Sequence, residues 1–143
     1  MKLSTRTRYG MRAVIELAQH EGKRPLQLKA IADRQDISVK YLEQLMSMLR
    51  SAGFVRSIRG SKGGYILARA PEQITLSEIF HSLEGSVMTA ECIENPDYCG
   101  RAADCAAREI WVQVEEAIEG VLGSTTLADL VRKTQEQASD YHI

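Results

Sequence analysis

The 143 residues contain no run of about 18 apolar side chains, so no segment can cross a bilayer as a helix. The opening MKLSTRTRYGMRAV carries charge but no apolar core of signal-peptide length, which sets the expectation of a cytoplasmic protein with no membrane partner. Cysteine is scarce. There are three, an odd count that argues against a simple disulfide framework, and no C-x-x-C pair. In the cytosol, clustered thiols more often bind metal or sense redox state than staple a fold. Catalytic groupings are missing as well. No nucleophile–base pair, paired carboxylate site or cofactor loop is present, so the chain is not read as an enzyme. Gly60–Gly64 (GSKGG) lacks the spacing of a nucleotide-binding P-loop.

What is present is a globular composition, 44% hydrophobic and 26% charged, with a net charge of −1. That small number hides a division. Residues 1–70 carry 14 Lys and Arg against 5 Asp and Glu, a balance of +9. Residues 71–143 carry 4 against 14, a balance of −10. A basic unit binds polyphosphate by releasing counterions. The acidic unit repels it and should face away.

Within the basic half, Tyr9, Ala13 and Leu17 recur at helical spacing, predicting a helix over Thr5–His20. A short helix follows over Leu26–Gln35. Ser38 is a good N-cap for a third helix, Val39–Ala52. Leu42, Leu45, Met46 and Leu49 supply its buried side, with Tyr41 and Met48. Lys40, Glu43, Gln44, Ser47 and Arg50 form the other stripe, starting at the end that a recognition helix pushes into the major groove. Phe54–Arg59 alternates as a strand, and GSKGG leads into a second strand, Tyr65–Ala68. Two strands around a glycine-rich tip make a wing, where Arg56, Arg59 and Lys62 are placed to meet phosphate or a minor groove.

The acidic half opens at Pro71. A helix begins near Thr75 and turns Ile79, Phe80 and Leu83 inward, with His81 at its surface. Ala107, Ile110, Trp111, Val114, Ala117, Ile118 and Val121 step by three and four along a long helix. So wide a stripe suits a homodimer interface, which also matches two-fold DNA sites. Thr125–Gln137 is a last helix, with a loose tail over Ala138–Ile143. The fold class expected is mainly α with a small β-wing: a winged helix-turn-helix over 1–70, then a cysteine loop and a long dimerisation helix over 71–143.

All three cysteines lie in Glu91–Cys105 (ECIENPDYCGRAADC), spaced C-x6-C-x5-C. Pro96 and Gly100 make this a loop. Three thiolates on one short loop can wrap an iron–sulfur cluster or a zinc ion, or act as a bare thiol sensor.

LSTRTRYGMRA, ISVKYLEQLMSMLRSAGFV, the wing SIRGSKGGYILA and the cysteine triplet followed by a tryptophan resemble the IscR/NsrR/CymR family of bacterial winged-helix regulators. YLEQL and RG-x-x-GGY are most similar to its IscR-type iron–sulfur members. The resemblance covers essentially the whole chain. It implies a homodimeric transcription regulator of double-stranded DNA whose affinity is set by an iron–sulfur cluster, 2Fe–2S favoured over 4Fe–4S. It assigns Cys92, Cys99 and Cys105 as cluster thiolates, Lys40, Tyr41, Glu43 and Gln44 as residues approaching bases, and Arg59 as the arginine entering the minor groove. Glu43 can accept from cytosine N4 while repelling phosphate, so it can discriminate among sites. One position departs from the family. Where IscR-type members place a histidine ligand, this chain has Arg108, and its first helix has no acid before Glu16, the region where nitric-oxide-sensing members supply one. Asp104, Glu109, Glu91 and Glu94 are the candidate oxygen donors for the fourth position, beside an exogenous thiol or water. Two other readings stand beside this one: a cluster-free regulator controlled by thiol state or a partner, and a zinc-stabilised interaction module without DNA function.

Overall fold

The computed structural model describes residues 2–86 and 90–140. α1 spans Thr5–Gln19 and is capped by Ser4, whose side chain accepts from the Thr7 amide. Ala13, Val14, Leu17 and Ala18 form its buried stripe. α2 covers Leu28–Gln35, two residues shorter at its start than expected. The cause is distant in sequence. Leu26 pairs with Tyr65 of the wing, donating to its carbonyl at 3.0 Å and accepting from its amide at 2.8 Å, so Leu26 is extended and not helical. Asp36, at φ 54°, ends α2 in the left-handed region.

Ser38 caps α3, Val39–Ser51, and accepts from the Tyr41 amide at 3.0 Å. β1 (Val55–Ile58) and β2 (Gly64–Leu67) pair antiparallel, Val55 opposite Leu67 and Ile58 opposite Gly64. β1 is shorter than the expected Phe54–Arg59, and β2 keeps the expected four residues but lies one position earlier than Tyr65–Ala68; Phe54 and Ala68 meet through a single hydrogen bond outside the ladder. Only Val55 of β1 is buried, so the expected alternation covers one side chain, not a full strand.

α4 (Leu76–Glu84) starts at a reciprocal cap between Thr75 and Glu78. Hydrogen bonding from the Thr75 amide, assisted by Arg69, holds the Glu78 carboxyl below its ordinary value. Ile79, Phe80 and Leu83 are buried, as their spacing indicated. The segment after the 87–89 stretch is not the plain loop expected. It folds as α5 (Glu91–Glu94) and two single turns, Pro96–Tyr98 and Ala102–Asp104. Pro96 is suited to a first helical position, and Asn95 caps that turn through the Asp97 amide. α6 (Ala106–Ser124) has no buried residue along its 19 positions. α7 runs over Leu127–Asp140, so the tail expected to be loose from Ala138 is helical as far as Asp140; no glycine or proline interrupts it. Thr126 and Asp129 cap it reciprocally. Tyr141, His142 and Ile143 lie outside the described residues.

One hydrophobic core joins these elements. Val14, Ile31, Leu42, Leu45, Met46, Leu49 and Val55 pack with Ile74, Ile79, Leu83 and Leu127. Gly10 makes the α1–α4 approach possible: a Cβ there would sit 2.6 Å from the Leu83 Cδ1. Backbone bonds from Leu76 to Thr125 and from Leu127 to Ile74 tie the start of α4 to the start of α7.

Candidate nucleic-acid interface and cysteine segment

Helical geometry separates two faces of α3. Leu42, Leu45, Met46 and Leu49 are buried, while Lys40, Glu43, Gln44, Ser47 and Arg50 are exposed on the opposite side. Tyr41 lies between, half-buried and edge-on to Tyr9 with ring centres 6.3 Å apart. The Arg12 guanidinium sits over Tyr9 at 5.6 Å. Aromatic packing thus ties the first turn of α3 to α1. On the wing, Arg56, Arg59 and Lys62 are all exposed. Among the described residues, none of Lys40, Arg50, Arg56, Arg59 and Lys62 has an acidic partner. Arg34 and Arg69 are instead paired with Glu16 and Glu78. Unpaired cations beside an exposed helix stripe are the arrangement that phosphate neutralisation uses.

The cysteines lie on three successive pieces. Cys92 is on α5 and half-buried, Cys99 follows the Pro96 turn and is exposed, and Cys105 is the half-buried N-cap of α6. All three are free thiols. Among the described residues, no three His, Cys, Asp or Glu side chains are grouped so as to hold a metal ion. Glu91, Glu94, Asp104 and Glu109 are exposed and do not complete such a group. Arg108, where the IscR-type resemblance implies a histidine, donates from Nε to the Cys92 carbonyl at 3.2 Å and so pins α5 against α6. The donors suit iron or zinc in chemical kind. Among the described residues their number and placement do not make a four-ligand site, and Arg108 stands where the IscR-type resemblance implies a histidine. A cleft of about 530 Å³ opens here, lined by Pro96, Asp97, Cys99, Gly100, Ala102, Ala103 and Arg108.

Two polar links, invisible to local pattern, join this region to α1. His81 is exposed, as its place on the helix indicates, and also makes contacts: its Nε2 meets Glu119 Oε1 of α6 at 2.5 Å and its Nδ1 meets the Gly85 carbonyl at 2.9 Å. Ser77 donates to the other Glu119 oxygen at 2.9 Å. At the far end of α4, Glu84 accepts from the Ser4 hydroxyl at 2.7 Å, the Ser4 amide at 3.2 Å and the Thr7 hydroxyl. The Thr7 and Ser4 hydroxyls hold the Glu84 carboxyl below its ordinary value. Arg6 donates to the Leu83 carbonyl at 2.7 Å. The S-x-x-T sequence at Ser4–Thr7 marks a helix start, but nothing local indicates that Glu84 occupies it.

Residues 3–133 match the Rrf2 family, described as an iron-dependent transcriptional regulator. The chain belongs to the Rrf2 family. It is 43% identical over 141 residues to the HTH-type transcriptional regulator CymR of Bacillus subtilis strain 168, covering 99% of this chain and 97% of that one. It is 44% identical over 132 residues to protein rrf2 of Nitratidesulfovibrio vulgaris Hildenborough, covering 92% and 88%. The solved structure of B. subtilis CymR, described as the global cysteine regulator, superposes with a TM-score of 0.81 at 44% identity over 93% of this chain and 98% of that one. IscR of T. potens superposes at 0.79 with 42% identity, over 96% and 90%. This Rrf2 chain is therefore a winged-helix transcriptional regulator and not an enzyme. Among the described residues, no helix is long and apolar enough to cross a membrane.

Proposed function

We propose that this chain is a homodimeric, cytoplasmic regulator that binds double-stranded DNA and whose affinity is set by the state of Cys92, Cys99 and Cys105. Residues 1–70 serve as the DNA-binding unit and 71–143 as the sensing and pairing region. The observation that carries the reading is the exposed α3 stripe beside three unpaired wing cations. Lys40, Tyr41, Glu43, Gln44 and Ser47 face base edges, Arg50, Arg56 and Lys62 meet phosphates, and Arg59 enters the minor groove. Pairing uses α6, on which Ile110, Trp111, Val114 and Val121 are 40–65% exposed. Like apolar faces pair symmetrically, matching two recognition helices to two half-sites.

Two readings of the sensor remain, each favoured by a different observation. Three soft thiol donors and the iron dependence that describes the family favour an iron–sulfur cluster, 2Fe–2S rather than 4Fe–4S. The ungathered thiols and Arg108 favour a cluster-free thiol switch. In both, a rearranged cysteine segment acts at the start of α6. The His81–Glu119 link carries that to α4, and the Glu84 link carries it to α1, on which α3 packs. Anaerobic purification with iron and sulfide counted separates the readings: a coloured protein with equimolar iron and sulfide supports the cluster, a colourless one with full DNA affinity supports the switch. Titration of labelled duplex at several salt concentrations tests the interface. If Arg50 neutralises one phosphate, Arg50→Ala should lower the salt slope by about 0.9. An unchanged slope and affinity removes Arg50 from the interface.

A further inference from the structure

The cleft beside α6 combines three chemical groups that no one element supplies. Cys99 presents an exposed thiol. Arg108 is half-buried; its Nε is used by the Cys92 carbonyl, and its two terminal nitrogens have no partner among the described residues. Asp97 is exposed, and its carboxylate has no cation partner among the described residues. All three line one open cleft of about 530 Å³, whose other lining residues are Pro96, Gly100, Ala102 and Ala103. Arg108 reaches it from the first turn of α6, whereas Asp97 and Cys99 come from the Pro96 turn.

A guanidinium with its fork free recognises a carboxylate. A carboxylate a short distance away recognises an ammonium. A thiol between elements of that kind meets sulfur. An α-amino acid bearing a disulfide carries all three complementary groups on one small frame. The small residues around the cleft leave room for it and offer no competing polar side chain.

We propose that this cleft binds a small α-amino-acid disulfide of the cystine class, and that Cys99 takes one half of it as a mixed disulfide. The Cys99 thiolate attacks the nearer sulfur. The Cys99–sulfur bond forms as the ligand's own S–S bond breaks, and the departing amino-acid thiolate takes up the proton that Cys99 released. Cys99 is oxidised and half of the disulfide is reduced, so no further oxidant is needed. Arg108 holds the carboxylate and Asp97 the ammonium while exchange occurs. The inference concerns the thiols free of metal and rests on the cysteine segment being the sensory element.

The test uses the full-length, metal-free protein and reads rates of adduct formation by intact mass, with the site mapped by peptide mass. The probes are cystine, cystamine, which lacks the carboxylates, and dithiodipropionate, which lacks the ammonium groups. Cystine should modify Cys99 in preference to Cys92 and Cys105, faster than either truncated disulfide. Arg108→Gln should slow cystine by about tenfold, the effect of removing one charge-assisted hydrogen bond, and leave cystamine unchanged. Asp97→Asn should slow cystine and cystamine and spare dithiodipropionate. The unchanged probe in each variant also reports that the cleft is still folded. Equal rates with all three disulfides, or equal labelling of the three cysteines, overturns the proposal and leaves only ordinary thiol exposure. Iron and sulfide counts report separately on the cluster reading, so either can fail alone.

Discussion

Replacing Gly64 with alanine tests how the wing is held to the rest of the domain. Gly64 sits at φ +148°, and an added Cβ would lie 2.3 Å from the Leu26 carbonyl oxygen. That oxygen already accepts from the Tyr65 amide at 2.8 Å, and the Leu26 amide donates back at 3.0 Å. The obstacle is backbone, so no side-chain rotation relieves it. Either β2 keeps its place at a strained φ, or it moves away from Leu26 and both bonds break. Strain of this kind costs about 1–3 kcal/mol. Two backbone hydrogen bonds contribute about 1 kcal/mol each. By either route the destabilisation is about 2 kcal/mol, near 7 °C in Tm for a chain of this length. Gly22→Ala is the control: its φ is +78°, but nothing lies within 4 Å of the added carbon, so it carries strain without collision. Thermal melts followed by circular dichroism measure both, and fluorescence anisotropy measures duplex binding. Gly64→Ala should melt well below Gly22→Ala and bind DNA more weakly, since the wing is displaced. Equal melting of the two variants would refute the reasoning.

Glu84 gives a pH signature. Its folded carboxyl titrates below the ordinary 4.5, so its stabilisation is fully present above that value and lost as pH falls through the folded value. Glu84→Gln should melt below wild type at neutral pH and converge with it in acid; a constant gap at every pH contradicts the assignment. Arg59→Ala should weaken binding most on duplexes with a narrow minor groove, measured by anisotropy on paired sequences, and equal weakening on all duplexes removes it from the groove. Val121→Asp places a charge on the exposed stripe of α6, where Val121 is 65% exposed. Sedimentation should show monomers with an unchanged far-ultraviolet spectrum, and an intact dimer moves the interface elsewhere. Gly10→Ala should cost about 1–3 kcal/mol in thermal melts, because the Leu83 side chain must yield inside a packed core.

Local chemistry carried much of the fold. Ser38 as a cap, the apolar stripe of α3, and the glycine tip of the wing each act over a few residues, so the pattern alone locates them. Failures came where distant groups decide. Leu26 leaves α2 because Tyr65 claims its backbone from 39 positions away. α7 outruns its expected end because nothing breaks it, so nearness to the terminus alone does not mark where the helix stops. In the candidate site, the exposed stripe follows from helical period, whereas Tyr41 is half-buried because it packs on Tyr9 of another helix. The cysteine spacing could be read directly, but not the short helical pieces that hold the thiols apart. Nor could an arginine where IscR-type members place a histidine reveal by itself what Arg108 does, which is to hold the Cys92 carbonyl.

The most direct measurement compares anaerobic wild type with Cys92→Ala/Cys99→Ala/Cys105→Ala for affinity to the same set of duplex sites, at one salt concentration. If the cysteine segment sets DNA affinity, at least one site should separate the two proteins by about tenfold, the usual scale of coupling between linked sites. Equal affinity at every site, with both proteins folded and dimeric, would contradict the account.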